Sequence, residues 1–82
     1  MYSHYVVVLD WASQDAEDVG ILGVAHTLDD ARAIFAEYIE EEKELAIDKG
    51  WTIETDTNDV FEAYEDGYYA ANHTRLYIQG VI

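Results

Sequence analysis

The chain has 82 residues, half of them hydrophobic, with eighteen acidic residues against four basic ones and a formal net charge of −14. That length makes one domain, residues 1–82, and its seven Tyr, two Trp and two Phe exclude a disordered acidic chain, which would be poor in aromatics. With no cysteine, disulfides and thiolate metal sites are excluded as well.

Arg32, Lys43, Lys49 and Arg75 are too few for direct nucleic-acid binding, which needs clustered basic residues. They are equally too few for an anionic membrane surface. A basic protein or a cation is the electrostatically natural partner. The start, "MYSHYVVVLDW", lacks the basic and apolar regions of a signal peptide, and no apolar run approaches the ~20 residues that cross a bilayer. A cytoplasmic location is the expectation, and "NHT" at Asn72 to Thr74 is then a chance glycosylation match.

"HYVVVLDW" (His4 to Trp11) is a Val-rich run that predicts an interior strand. "ASQDAEDVG" reads as a polar loop, and "VGILGVAH" (Val19 to His26) as a second strand pairing antiparallel with the first. Gly20 and Gly23 mark a bulge or close packing within it. Thr27 is a good N-cap, with Asp29 and Asp30 where the helix dipole favours acids. Apolar residues then recur at Leu28, Ala31, Ile34, Phe35, Tyr38, Ile39, Leu45 and Ala46, a stripe of helical period. The stripe thins from Glu40 to Glu44, which predicts a solvated middle. Lys49 and Gly50 supply the stop.

Beyond Gly50, "WTIETD" alternates with Trp51 and Ile53 on one face. "TND" is turn material, and "VFEAYED" turns Phe61 and Ala63 inward. "GYYAANH" reads as a loop around Gly67, and "TRLYIQGVI" closes the chain with Leu76 and Ile78 facing in. The expectation is an α+β fold, β-β-α-β-β-β: an antiparallel sheet of four to five strands with one long helix packed on one face. One helix covers one face only, so the other meets solvent, a partner or a second copy. Tyr2, His4, Tyr64, Tyr77 and Trp11 are candidates to gather there as an aromatic interface.

Chemistry has little material. From Asp56 an EF-hand loop begins with Asp56 and Asn58 but places Val60, Phe61 and Gly67 where an oxygen donor, glycine and glutamate are required. His4, His26 and His73 show no metal-ligand spacing. Ser3 and Ser13 have no nucleophile context, and no phosphate-cradling glycine motif occurs. The expectation is therefore no catalytic residue, no metal and no cofactor.

The acids themselves remain. Glu37, Glu40 or Glu41, Glu44 and Asp48 recur on the helix face opposite the apolar stripe, spanning roughly 16 Å at 1.5 Å per residue. Four charges over that length give about one per 4–5 Å, near the ~3.4 Å spacing of phosphates along a DNA strand. Two further groups come from predicted loops: Asp10, Asp15, Glu17 and Asp18, then Asp56, Asp59, Glu62, Glu65 and Asp66. Tyr68 and Tyr69 follow Glu65, Asp66 and Gly67, placed to project beside an acidic cluster.

The segments "VVVLDW", "ILGVAHTLDDARAIFAEY" and "DGYYAANHTRLYIQ" together resemble small acidic bacterial proteins linked to mobile elements. In size and charge the chain resembles the phage nucleic-acid mimics that inhibit defence nucleases, of the anti-CRISPR type. Those resemblances carry over no site residue. The excess of acids and the lack of catalytic material lead to the expectation of a non-enzymatic interaction module that occupies a basic surface of a nucleic-acid-binding protein. Its candidate contacts are Glu37, Glu41, Glu44, Asp48, Glu65, Asp66, Tyr68 and Tyr69. The alternative is a homodimer binding a small ligand or peptide on its open sheet face.

Overall fold

The computed structural model describes residues 2–13, 16–68 and 71–82. Among them run β1 (His4–Ser13), β2 (Ala16–Ala25), α1 (Leu28–Asp48), β3 (Thr52–Asp56), β4 (Val60–Tyr64) and β5 (His73–Val81). All five strands form one antiparallel sheet in the order β2-β1-β5-β4-β3. The fold is α+β, with a single helix on the sheet. The Val-rich β1 is paired on both sides, and the strand nearest the C-terminus takes the middle of the sheet.

Two expectations about the first hairpin change. Most of "ASQDAEDVG" is strand rather than loop: Ser13 pairs with Ala16, Ala12 with Glu17 and Trp11 with Asp18. β2 is an edge strand, where acidic side chains can face water while the backbone continues the ladder, so polar composition misreads it. The second strand also stops at Ala25, leaving His26 outside. A bulge lies where Val7 pairs with Gly23 and Val8 with Ile21, so Leu22 is the extra residue. Gly23 is required there: a Cβ on it would stand 2.9 Å from Ile34 Cγ2 on the helix.

Helix α1 begins and ends on local chemistry. Thr27 Oγ1 accepts from the Asp30 amide at 3.1 Å, satisfying one of the free donors of the first turn. At the other end Trp51 N donates to Ala46 O at 2.9 Å and Gly50 N to Ile47 O at 3.0 Å. That paired pattern needs a left-handed residue after the cap, and Gly50 has φ +72°. The 21 helical residues extend about 31 Å at 1.5 Å each, most of the 37 Å long axis of the molecule.

Register assigns the two sheet faces. Val7 pairs with Ile78, Leu9 with Leu76, Phe61 with Leu76 and Ala63 with Thr74. Directly paired residues share a face, so these lie under the helix. Phe35, Phe61, Leu76 and Val7 are the largest fully buried side chains. Ala31 and Ala46, also buried on the helix, are small enough to bring it close to the sheet. Two ion pairs fasten its flank. Arg32 donates from Nε and Nη2 to Asp59 at 2.6 and 3.0 Å, and Lys43 Nζ lies 3.0 Å from Asp56.

The uncovered face carries His4, Val6, Val8 and Asp10 from β1, Arg75 and Tyr77 from β5, and Glu62 and Tyr64 from β4, by the same alternation. Two residues expected there lie elsewhere. Trp11 is in phase with Val7 and Leu9 and belongs to the helix side. Tyr2 precedes β1, so strand alternation does not bind it; its ring meets Tyr5 edge-on at 5.7 Å, beside Gly80.

Candidate functional site

The structure sorts the acids into two classes. Glu37, Glu40, Glu41, Glu44 and Asp48 are all exposed on α1. No lysine or arginine pairs with them among the described residues. The reason lies with the four basic residues, which are engaged elsewhere. Arg32 and Lys43 bind Asp59 and Asp56. Arg75 lies 3.8 Å from Glu62 and stacks over Tyr77 at 4.5 Å, and Lys49 sits 4.5 Å over the Trp51 ring. The last turn of the helix holds no basic residue, so Glu44 and Asp48 stand near the negative end of the dipole with only Lys49, the C-cap residue, beyond them.

The second class is structural. Asp56, Asp59 and Glu62 are held by the ion pairs just described, and Asp10 Oδ1 is 3.5 Å from His73 Nε2. The guanidinium of Arg32 holds the Asp59 carboxyl below its ordinary pKa through their hydrogen bonds. Glu65, expected as a partner contact, instead accepts from Asn72 Nδ2 at 2.8 Å, and its amide donates to Asn72 O at 3.0 Å. Asn72 is buried, so Glu65 closes its own loop. Asp66 is exposed. Tyr68 is 60 % exposed, while its carbonyl accepts from the Ala71 and Asn72 amides; the backbone is tied down and the ring projects. Tyr69 and Asp15 lie outside the described residues. Thr52 pairs with Tyr64 and Tyr64 with His73, so the loop carrying Asp66 and Tyr68 lies at the same end of the sheet as the C-terminal turn of α1.

One acid escaped the sequence reading. Glu42 is in phase with Ala31, Phe35, Tyr38, Ile39 and Ala46 on the inner stripe of the helix, and the structure half-buries it. The middle of α1 is thus not simply solvated. Burial, then the neighbouring Glu41 charge, pushes the Glu42 carboxyl up from its ordinary 4.5, partly offset by Lys49. The helical phase was the available signal, hidden because the residue is charged.

Between the ordinary and the raised pKa the folded state binds more protons than the unfolded one, so stability falls as pH rises through that window. Above it the full penalty persists. Glu42→Gln should therefore raise the melting temperature at pH 7, with the gain vanishing below pH 4.5. Asp59 works oppositely: its contribution is complete above its ordinary 3.8 and is lost as pH falls through the lowered value. Thermal melts of both proteins from pH 3 to pH 8 measure this.

Thr74 is the other anomaly. It is 8 % exposed and its Oγ1 has no hydrogen-bond partner among the described residues. Thr74→Val keeps the β-branched shape and removes the unsatisfied hydroxyl, so it should stabilise the fold by about 1 kcal/mol, several degrees in melting temperature for a domain of this size. Differential scanning calorimetry decides it. Among the described residues no group of three metal-ligating side chains gathers, and no helix is long and apolar enough to cross a membrane. No protein-family model, no curated protein and no solved structure matches this chain.

Proposed function

We propose that the chain is a non-enzymatic interaction module whose helix α1 presents carboxylates to a basic groove of a nucleic-acid-binding protein, as a nucleic-acid mimic. One observation carries this reading: the basic side chains are all engaged away from the outer helix face, leaving Glu37, Glu41, Glu44 and Asp48 exposed and uncompensated. Like charges at three- and four-residue spacing, with two of them at the unfavourable end of the dipole, oppose folding. An array kept against stability supports a role in recognition. The resemblance in size and charge points to a bacterial defence nuclease as partner.

The test is capture of host proteins on the immobilised chain at low salt, followed by elution with a short DNA duplex. A mimic releases its partner to the duplex, because both occupy the same groove. A partner retained in the presence of excess duplex would overturn the reading. Tyr68 extends the prediction: Tyr68→Ala should leave melting unchanged, because the ring is exposed, yet speed dissociation of the captured partner about tenfold, ~1.4 kcal/mol. Surface plasmon resonance reads the rate.

A second reading has its own observation. Val19, Ile21 and Val24 are largely exposed on edge strand β2, beside the half-buried Val6 and Tyr77 of the uncovered face. That patch favours a homodimer, or a peptide or ligand bound on the sheet. Light scattering tests this reading in its dimeric form: a dimer that Ile21→Ser dissociates supports it.

A further inference from the structure

The C-terminal half of α1 does not close completely onto the sheet. A cavity of about 330 Å³ remains, lined by Leu9, Trp11, Glu42, Leu45, Trp51 and Thr74 among others. It lies at the lower end of the volumes that hold small ligands, which are mostly apolar with a few polar groups. Both tryptophans of the chain stand in its wall. So do the two anomalies found above: an acid on the inner helical stripe, and a buried hydroxyl without a partner among the described residues. Lys49 and His73 also line it; the Lys49 ammonium rests over Trp51 at 4.5 Å, where its charge partly offsets the burial of Glu42 and leaves the opposite wall, with Trp11, to a second cation.

We propose that this cavity binds a small protonated organic amine with an aromatic or apolar body. The ammonium would lie against the Glu42 carboxylate and donate a hydrogen bond to it. Its body would pack against Trp11, Leu9 and Leu45. An indole face attracts a cation through its quadrupole, and Lys49 over Trp51 shows such a contact within this wall. The net charge of −14 concentrates cations and repels anions around the opening. Burial disfavours the Glu42 charge, and a cation held against it would offset that cost. This site is separate from the outer helix face, whose acids point the other way, so it does not depend on the mimic reading.

The test uses 2-phenylethylamine, its neutral isostere 2-phenylethanol and the anion phenylacetate, titrated against the intact chain with tryptophan fluorescence as the readout. The amine should give a saturable change. The alcohol should bind about tenfold more weakly or worse, the weight of a single charge-assisted contact, and phenylacetate should give none. Glu42→Gln should reduce amine affinity about tenfold while leaving the alcohol unchanged. Changing Glu37, Glu41, Glu44 and Asp48 together to Gln controls for the general field and should alter amine affinity less than Glu42→Gln alone does. Equal binding of amine and alcohol would overturn the proposal. So would an amine response insensitive to Glu42→Gln, or no saturable change with any probe.

Discussion

Changing Glu37, Glu41, Glu44 and Asp48 together to Gln should raise the melting temperature at low salt while weakening association with a basic partner about tenfold or more, ~1.4 kcal/mol. The two effects share one cause. On α1 these residues form successive like-charge pairs at three- and four-residue spacing, each destabilising by roughly 0.2–0.5 kcal/mol. Glu44 and Asp48 add an unfavourable interaction with the helix C-terminus, which has no basic residue in its last turn. Removing them should stabilise the fold by about 1 kcal/mol, several degrees for a domain of this length. Screening imitates the change: the parent's melting temperature should rise as sodium chloride goes from low to about 0.15 M, where the Debye length is ~8 Å, and the variant's should rise less.

The loss of association should appear chiefly in the on-rate and its salt dependence, because exposed charges steer encounter more than they hold the complex. Calorimetry and surface plasmon resonance at two ionic strengths give both numbers. A variant that is more stable yet binds as tightly would remove the helix from the interface. Unchanged stability at low salt would mean that the acids are too dispersed to repel.

Phe61→Ala should lose about 3–5 kcal/mol, the usual range for emptying a buried aromatic site. Phe61 is completely buried in β4, paired with Leu76 of the central strand, and it lies in the same core cluster as Phe35 of the helix. A domain of this size is stable by only about 4–12 kcal/mol in total, so the variant should lose a quarter of that or more. Urea titration followed by fluorescence measures the shift. Ile21→Ser on the exposed edge strand is the informative contrast. In a monomer it should change stability by less than about 0.5 kcal/mol. If β2 and the open face bury a second copy, the same change lowers stability in a concentration-dependent way. A large loss at Ile21 would therefore favour the sheet-face reading over the mimic.

The element order β-β-α-β-β-β and the one-sided helix were legible in the sequence because they rest on local periodicity and end signals. Thr27 caps the helix and Gly50 ends it through contacts made within a few residues. Phe61, Ala63 and Leu76 alternate inward as their spacing requires. Exposure of Glu37, Glu41, Glu44 and Asp48 follows from helical phase alone. What depended on distant partners was not legible. Strand order, with β5 between β1 and β4, brings the two ends of the chain together and has no local signature. The acidic start of β2 reads as loop until pairing with β1 explains it as an edge. Tyr2 left the open face because it precedes the first strand, and Trp11 because its phase puts it under the helix. Asp56, Asp59 and Glu62 look like free charge in the sequence, yet each meets one of the few basic side chains across an element boundary. Glu65 meets Asn72 in the same way. Composition set the charge of this protein, but only tertiary packing decided which carboxylates were neutralised inside the fold and which were left facing outward.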